Sequence, residues 1–370
     1  MYKRQEACLS EGYGSVEDTN GPNPAGVGVW PSNNLDGWRM SAALTYLNPM
    51  RHRLNLTVRG EVLVRKVLIE GGKAIGVEAE SGGEVFNIEA DRVVLSAGAI
   101  KSPHLLMLSG IGPKDQLEEF GIPVIQDMPG VGQNLMNHLS AQVTFKVKDG
   151  LSLHGDMDAI HFVLHYTAEG STEVNDMLLR TTPMVDERPE RVPGLRTKFL
   201  NDGIPADRVA RLSVTLGLPD GSGYVRLASS DPSVQPTFNY QYLQHPNDKR
   251  RVRDGIRKAA AFLESDAYKD VCDQRLHPVD DILNDDDALD RYISQTVGTA
   301  RHVSGTCKMG PDSDPTAVVD QYCSVKGVAG LSVVDASIKP KITRSGGSHA
   351  TVLMMAERAV EFIARTLAKV

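Results

Sequence analysis

Two histidines near the end of the chain stand in contexts that suit acid/base chemistry. His302 lies in RHVSGTCKMG and His349 lies in SGGSHATV, so each adjoins a glycine-containing turn rather than an apolar helix face. Histidine titrates close to neutral pH, which makes it the commonest general acid or base. Both histidines, His302 and His349, are therefore candidates for a base poised near neutral pH. Two imidazoles close together cannot both carry a charge cheaply, so the pair is predicted to titrate as a coupled unit.

Two other chemistries fit the sequence less well. The segment 346–350 is similar to a nucleophile elbow, but too few residues follow Ser348 to supply the acid and histidine of a hydrolase in their usual order. Ser348 is therefore predicted to be a helix N-cap. His161 and His165 in HFVLHY have helical spacing but lack the glutamate of a zinc motif, so a partly exposed helix face is expected there. No metal site is predicted.

Composition narrows the class of protein. The 370 residues include 40 Lys plus Arg against 47 Asp plus Glu, and a net charge of −7 has the wrong sign for a nucleic-acid surface. No stretch approaches the uncharged apolar length of a membrane span. The four cysteines form no C-x-x-C pair, which favours reduced thiols and a cytoplasmic location. Neither a P-loop nor a complete G-x-G-x-x-G fingerprint is present in the given sequence.

The elements that must position these residues follow from periodicity. A meander of short β-branched strands begins near Asn55, and the strand 92–96 leads into Ala97-Gly98 and a helix predicted to start at Ser102-Pro103. After about residue 140 further strands alternate with polar loops, with a helix candidate over 156–166. Residues 351–367 have apolar positions at helical spacing, which predicts a helix. A glycine-rich loop precedes this helix, whose N-terminus would stabilise an anion.

Several blocks carry a resemblance to a known family. They are DTNG with NNLDGWRMS, then RLNLTV, VVLSAGAIKSPHLLMLSGIGP, PGVGQNL, RHVSGTCKMG, and VVDAS followed by HATVLMMAERA. In these blocks the chain resembles the glucose-methanol-choline (GMC) oxidoreductases, flavoproteins that oxidise alcohols. The resemblance runs in order along nearly the whole chain.

The resemblance implies an α/β fold, with a partial FAD-binding (Rossmann-like) domain and an antiparallel-sheet substrate-binding domain. The expected division is into four segments: 1–53 as site-lining loops, 54–140 as the first part of the FAD-binding domain, 141–296 as the substrate-binding domain, and 297–370 as the C-terminal part of the FAD-binding domain with the active-site histidines.

The same resemblance implies roles for individual residues. His302 matches the family histidine that faces the flavin and handles the substrate hydroxyl, and His349 matches a second position that is His or Asn. Asn137 replaces the usual Asp of a G-x-N-L-x-D-H block. The cofactor-binding residues implied are Val64, Ala97, Gly98, Asp335, Ala336, His349, Ala350 and Val352.

The implied function is FAD-dependent oxidation of a CH–OH group, with proton removal by histidine and hydride transfer to the flavin. The small-molecule partner would be an alcohol, and the electron acceptor would be oxygen, a quinone or a cytochrome. A hydroxynitrile-lyase-like enzyme that retains FAD, and a flavin-free fragment with an interaction role, remain open alternatives.

Family members begin with a strand, a G-x-G-x-x-G turn and a helix that seat the FAD pyrophosphate, and the given sequence starts after them. We therefore expect a truncated chain that binds little FAD when purified alone. We expect a complementary N-terminal segment, or homo-oligomerisation, to compensate for the missing segment.

Overall fold

Two apolar cores organise the chain, one beneath a large antiparallel sheet and one around a short parallel strand pair. The computed structural model describes residues 3–151, 162–183, 204, 208–344 and 347–367. The predicted combination of an α/β part with an antiparallel sheet is confirmed.

The α-helices of the described ranges are α1 (Lys3–Ser10), α2 (Asn48–Met50), α3 (Gly98–Leu108), α4 (Lys114–Glu119), α5 (Pro246–Glu264), α6 (Asp280–Leu283), α7 (Asp286–Thr296) and α8 (His349–Leu367). A π-helical turn covers Ala43–Leu47, and a 3₁₀ turn covers Ala336–Ile338.

The strands in the same ranges are β1 (Gly26–Val29), β2 (Asn34–Leu35), β3 (Trp38–Arg39), β4 (Leu63–Glu70), β5 (Lys73–Ser81), β6 (Glu84–Glu89), β7 (Val93–Leu95), β8 (Ile111–Gly112), β9 (Gln126–Asp127), β10 (Leu139–Val147), β11 (Phe162–Tyr166), β12 (Met177–Pro183), β13 (Val209–Leu216), β14 (Tyr224–Arg226), β15 (Thr237–Asn239), β16 (Cys272–His277), β17 (Gly298–Thr299) and β18 (Leu331–Val333).

The large sheet has seven antiparallel strands in the order β1-β11-β12-β13-β10-β16, with β17 also pairing with β10. Side chains alternate between the two faces of a strand, so one face of this sheet carries the apolar residues of the first core. Helix α5 covers that face and packs closely: a Cβ on Gly255 would lie 2.5 Å from Val214 Cγ1.

The opposite face of the sheet is polar, and we call it the polar face. Directly paired residues of neighbouring strands lie on the same side of a sheet. The register therefore places two rows of side chains on this face, His165, Leu178, Thr215 and Ser140 in one row and Val163, Arg180, Ser213 and Gln142 in the next.

A buried ionic cluster joins α5 to the sheet. The Arg251 guanidinium is fully buried and donates to Asp176 Oδ2 at 2.7 Å, Asp248 Oδ1 at 2.6 Å and Asp220 Oδ2 at 3.0 Å. The Asp248 carboxylate also accepts the backbone N–H groups of Asp220 and Gly221. A buried charge needs this degree of pairing to offset its lost hydration.

The second core surrounds the parallel pair β7–β18, in which Leu331 lies opposite Val93. Helix α3 follows β7 and buries Leu106 and Met107 in this core. The three-stranded sheet β4-β5-β6 joins α3 through the Ser109 hydroxyl, which accepts the N–H of Val67 at 2.8 Å.

The predicted start of α3 at Ser102 is wrong, because the helix begins at Gly98 and contains Pro103. A proline has no N–H for the carbonyl four residues earlier, which here belongs to Ala99. Thr306 supplies the missing donor, since its hydroxyl lies 2.6 Å from the Ala99 oxygen. A contact from a distant segment therefore makes an internal proline tolerable.

Two other local predictions differ from the structure. Residues 162–166 form strand β11 rather than the end of a helix, and His165 is buried on the polar face, while residues 156–161 lie outside the described part. The segment 1–53 also contains more regular structure than expected, since α1 lies there and β1 adds an edge strand to the large sheet.

No helix in the described ranges combines the length and apolar composition that a membrane span would require.

Candidate active site

The backbone of His302 is fixed by the segment that precedes β10. The N–H of His302 donates to Asn137 Oδ1 at 2.8 Å, and Met136 and Ser304 exchange backbone hydrogen bonds of 2.9 and 3.0 Å. Gly305 continues this connection, because its N–H donates to the carbonyl of Ala336 at 3.1 Å. The loop that carries His302 is thereby held against both cores.

Both the oxygen and the nitrogen of the Asn137 side-chain amide form hydrogen bonds that hold this loop. Its oxygen accepts from His302, while Nδ2 donates to the Tyr242 hydroxyl at 2.7 Å and to Thr299 Oγ1 at 2.6 Å. An aspartate could also accept the His302 N–H, so the replacement at this position keeps the contact that fixes the histidine. Asn137 is 3% exposed, which makes these bonds costly to lose.

The imidazole of His302 is held by a second histidine, His138. Their Nδ1 atoms lie 3.0 Å apart, and the rings meet edge to face with centroids 5.2 Å apart. His138 Nε2 lies 2.9 Å from the carbonyl oxygen of Thr343, and a carbonyl oxygen can only accept. His138 Nε2 therefore carries that ring's proton.

Both rings are neutral at physiological pH. Burial lowers the pKa of His138 to about 3, with the nearby His302 adding to the effect. Burial also lowers the pKa of His302 to about 4, and the positive charges of Arg180, Lys339 and Arg301 act in the same direction. The predicted poise of His302 near neutral pH is therefore wrong, because the sequence does not reveal burial or a cationic surrounding.

A histidine that was not among the predicted site residues contacts His302. His349 is the first residue of α8 and is exposed, whereas the imidazole in contact with His302 belongs to His138. His138 is a site residue that the family resemblance does not indicate. The available signal was its position directly after Asn137 and before a strand that pairs with the segment around His302.

The predicted cofactor residues of the second core meet in one turn. Asp335 is 7% exposed, and its carboxylate accepts the N–H of Gly98 at 2.8 Å, the Ser102 hydroxyl at 2.5 Å and the N–H of Ser337 at 2.7 Å. This brings Ala97, Gly98, Asp335 and Ala336 together where β7 and β18 end. Asp335 acts here by positioning the backbone around it.

Gly98 gives this turn its open surface. Its φ of +82° belongs to the left-handed region that favours glycine, and no atom beyond its chain neighbours and its own helix backbone lies within 4 Å of the place where a Cβ would be. The space over the Gly98 backbone is thereby left open to a ligand at the carboxyl ends of two parallel strands.

The start of α8 lines a separate open space. A cavity of about 600 Å³ lies between the loop 19–24, the polar face and α8, with His165, Thr343, Ala350 and Met354 among its walls. Ser348 precedes α8 and its carbonyl accepts the N–H of Val352 at 2.9 Å, so its predicted place at the helix N-cap is confirmed. Thr343 connects this cavity to His138.

Four of the predicted cofactor residues lie outside the Asp335 turn, namely Val64, His349, Ala350 and Val352. Val64 is half-buried in β4, where it pairs with Ala79. Val352 is half-buried in the first turn of α8. The described structure therefore places Ala97, Gly98, Asp335 and Ala336 in one turn, and His349, Ala350 and Val352 in the first turn of α8.

Comparison with known proteins identifies the family. Residues 3–140 and residues 219–356 match two models described as GMC oxidoreductase. An oxygen-dependent choline dehydrogenase of Brucella anthropi is 34% identical over 371 residues, which cover 97% of this chain and 67% of the relative. Human mitochondrial choline dehydrogenase is 35% identical, with 97% of this chain and 62% of the relative covered.

Solved structures with a similar fold cover nearly all of this chain. Pyridoxine 4-oxidase from Mesorbium loti superposes with a TM-score of 0.86 at 28% identity, over 97% of this chain and 68% of that one. A formate oxidase variant of Aspergillus oryzae has a TM-score of 0.84 at 24% identity over 98% of this chain and 70% of that one, and supports the fold alone.

The chain spans 62–66% of the length of the first three curated relatives it matches. The match nevertheless extends over both family models and nearly all of this chain. The chain therefore belongs to the GMC oxidoreductase family.

Proposed function

We propose that this protein oxidises a CH–OH group with FAD as cofactor and with His302 as the base. The observation that carries the proposal is the hydrogen-bonded series from Thr343 through His138 to His302. It determines which nitrogen of His302 is free to accept a proton.

The proton positions follow from the partners. His138 is neutral and holds its proton on Nε2, so its Nδ1 is an acceptor. His302 must then donate from its own Nδ1, because two bare nitrogens 3.0 Å apart would repel. A neutral His302 has one proton, so its Nε2 carries the free lone pair.

That free nitrogen suits removal of a hydroxyl proton. An alcohol is a poor hydride donor until its O–H proton is leaving, and a base within hydrogen-bond reach lowers this barrier. The substrate loses the proton to His302 Nε2 and a hydride from the carbon, which becomes a carbonyl. His138 keeps the Nδ1 hydrogen bond as His302 becomes cationic, and thereby holds the ring in place.

The residues around Asp335 fit a dinucleotide cofactor. Ligands of α/β folds bind beyond the carboxyl ends of parallel strands, which is where Gly98 and Ala336 lie. The open space above Gly98 would admit a ligand that any side chain at this position would obstruct. FAD, when bound there, would supply the hydride acceptor.

His349 has a supporting role in this proposal. It stands with Ala350 at the start of α8, beside the cavity that His165 and Thr343 line. We assign to it the orientation of the substrate hydroxyl. The first helical turn there also offers backbone N–H groups and the positive end of the helix dipole.

A cytoplasmic location is also proposed. Cys8, Cys272, Cys307 and Cys323 are all free thiols, as is usual in a reducing compartment. Oxygen, a quinone and a cytochrome remain the acceptors to be compared in turnover assays, and a second segment or a second copy remains the partner to be sought by co-purification.

The test of the proposed function is anaerobic mixing of flavin-loaded protein with an alcohol panel that includes choline, the substrate named for several relatives. Bleaching of the flavin is expected, and His302→Ala should slow it by about 10² to 10⁴-fold while flavin content is retained. Equal bleaching rates in both proteins would contradict the assignment of His302. Substrate consumption without bleaching would indicate lyase chemistry instead.

A further inference from the structure

A buried lysine lies in the segment that follows the Asp335 turn. Lys339 is 3% exposed, and its Nζ has no hydrogen-bond partner within the described residues. Burial lowers the pKa of its ammonium group. An ammonium group without a counter-charge loses its hydration and gains nothing in return, so it is costly to keep.

A second uncompensated cation lies on the polar face. Arg180 is paired across the strands with Val163 and Ser213, neither of which carries a charge, and Arg211 is its charged neighbour on the diagonal. Arg180 is half-buried, and its Nε, like that of Arg251, lacks a hydrogen-bond partner in the part of the chain that is described. Burial, followed by the like charge of Arg211, lowers the pKa of Arg180.

A second arginine, which is fully buried, has carboxylate partners. Arg251 is surrounded by the carboxylates of Asp176, Asp248 and Asp220. A buried cation that stabilises this fold is therefore placed next to carboxylates. Lys339 and Arg180 have no equivalent carboxylate in the described ranges.

Both cations act on the candidate base. The charges that perturb His302 are those of Arg180, Lys339 and Arg301, and all three are positive. The surroundings of His302 are therefore electropositive, and a site of this kind attracts an anion and repels a cation.

We propose that the substrate is an alcohol that carries a carboxylate, with the carboxylate bound by Lys339 and Arg180 and the hydroxyl presented to His302. This inference rests on the proposed function and specifies its substrate class. A quaternary ammonium alcohol such as choline would meet three positive charges here and is expected to be a poor substrate.

A second role for Lys339 and Arg180 must be distinguished from substrate binding: the two cations would also stabilise negative charge on the cofactor after reduction. That role would favour every alcohol equally. A preference for anionic alcohols over neutral ones of the same shape belongs to substrate recognition alone.

The first experiment measures binding without turnover. Benzoate has the carboxylate but no oxidisable hydroxyl, and benzamide is its neutral counterpart. Benzoate should raise the thermal midpoint of the flavin-loaded protein, benzamide should not, and Lys339→Met should remove the effect. Lys339→Arg, which keeps the charge, should restore part of it. Lys326→Met is the matched control, because Lys326 already pairs with Asp312 and should leave benzoate binding unchanged.

The second experiment measures turnover with matched pairs, hydroxymethylbenzoate against benzyl alcohol and glycolate against ethylene glycol, with choline as the cationic probe. The anionic member should have a kcat/KM about tenfold higher or more, and Lys339→Met or Arg180→Gln should remove that preference. Equal kcat/KM values for charged and neutral alcohols, or efficient use of choline, would overturn the inference while the proposed function stands. Benzoate binding without oxidation of any alcohol would support the anion site and overturn the proposed function.

Discussion

The Nδ1 atoms of His138 and His302 lie 3.0 Å apart, and the Thr343 carbonyl on the far side of His138 decides which of the two atoms carries the proton. A neutral imidazole here does what a carboxylate does in a catalytic triad: it fixes the tautomer and orientation of the base. It does so without adding a negative charge beside the site, which matters because the surrounding cations are then left unbalanced for a ligand.

The first prediction concerns His138. His138→Asn should retain more activity than His138→Leu, because the amide oxygen can still accept the Nδ1 proton of His302 and leucine cannot. The loss should fall mainly on kcat rather than KM. Nitrogen NMR of labelled histidine should show His302 protonated on Nδ1 in the parent and in His138→Asn. Equal rates in the two variants, or a parent His302 protonated on Nε2, would contradict this role.

The pH dependence of kcat/KM provides the second prediction. The base must be unprotonated, and the pKa of His302 is lowered to about 4 by burial and by neighbouring cations. Activity should therefore be nearly constant between pH 6 and 8 and should fall only as the pH approaches about 4. Lys339→Met should move the acidic limb to higher pH, since one of the charges that oppose protonation is gone. An acidic limb near 6.5 in the parent would refute the lowered pKa.

The third prediction separates the two roles assigned to the histidines. His349→Asn should be milder than His349→Ala, because an amide still offers a donor and an acceptor to the substrate hydroxyl. Pre-steady-state flavin reduction measures the difference. If both variants are equally slow, His349 is an obligatory proton carrier, and the assignment of orientation to it is wrong.

Acid stability is the subject of the fourth prediction. The pKa of His138 is about 3 and that of His165 about 4 when folded, against 6.5 as the ordinary value. The unfolded chain therefore binds more protons between pH 6.5 and 4, and stability should fall as the pH falls through this window. Urea unfolding at several pH values should show a shallower slope for His165→Gln, by up to about 1.4 kcal/mol per pH unit. An unchanged slope would mean that His165 is protonated in the folded state.

The fifth prediction tests the ionic cluster beneath α5. Arg251→Met should lower the free energy of unfolding by about 3 to 5 kcal/mol, because it leaves the buried carboxylates of Asp176 and Asp248 without their cation. Lys249→Met on the same helix removes only a surface pair and should cost less than about 1 kcal/mol. Urea denaturation measures both, and similar effects would show that burial of the cluster is not what matters.

Sequence reasoning succeeded where periodicity and residue type decide the outcome. The strands predicted after residue 140, matched by β10, β13 and β14, and the helix predicted over 351–367, matched by α8, follow from local pattern and are confirmed. Family membership and the α/β class also follow from residues readable in order along the chain. The four-segment domain division and the roles of His302 and His349 stay predictions.

The failures arise where a distant contact overrides a local signal. Pro103 lies inside α3 because Thr306 serves the carbonyl that proline cannot. HFVLHY has a helical spacing of histidines, yet it forms a strand because β1 and β12 pair with it on both sides. The lowered pKa of His302 depends on burial and on Arg180, which belongs to a distant part of the sequence.

The bond between Gly98 and Asp335 spans 237 residues, and it has a consequence for the order of folding during synthesis. The seven-stranded sheet has all its strands once residue 299 has left the ribosome, whereas β7 and α3 must wait for β18 and the Asp335 turn. Contacts of such sequence separation carry a high loop-closure cost and form slowly. Until then the part of α3 that packs against the Ala336–Ile338 turn is uncovered, so nascent chains stalled between these two points are the species on which chaperones should act.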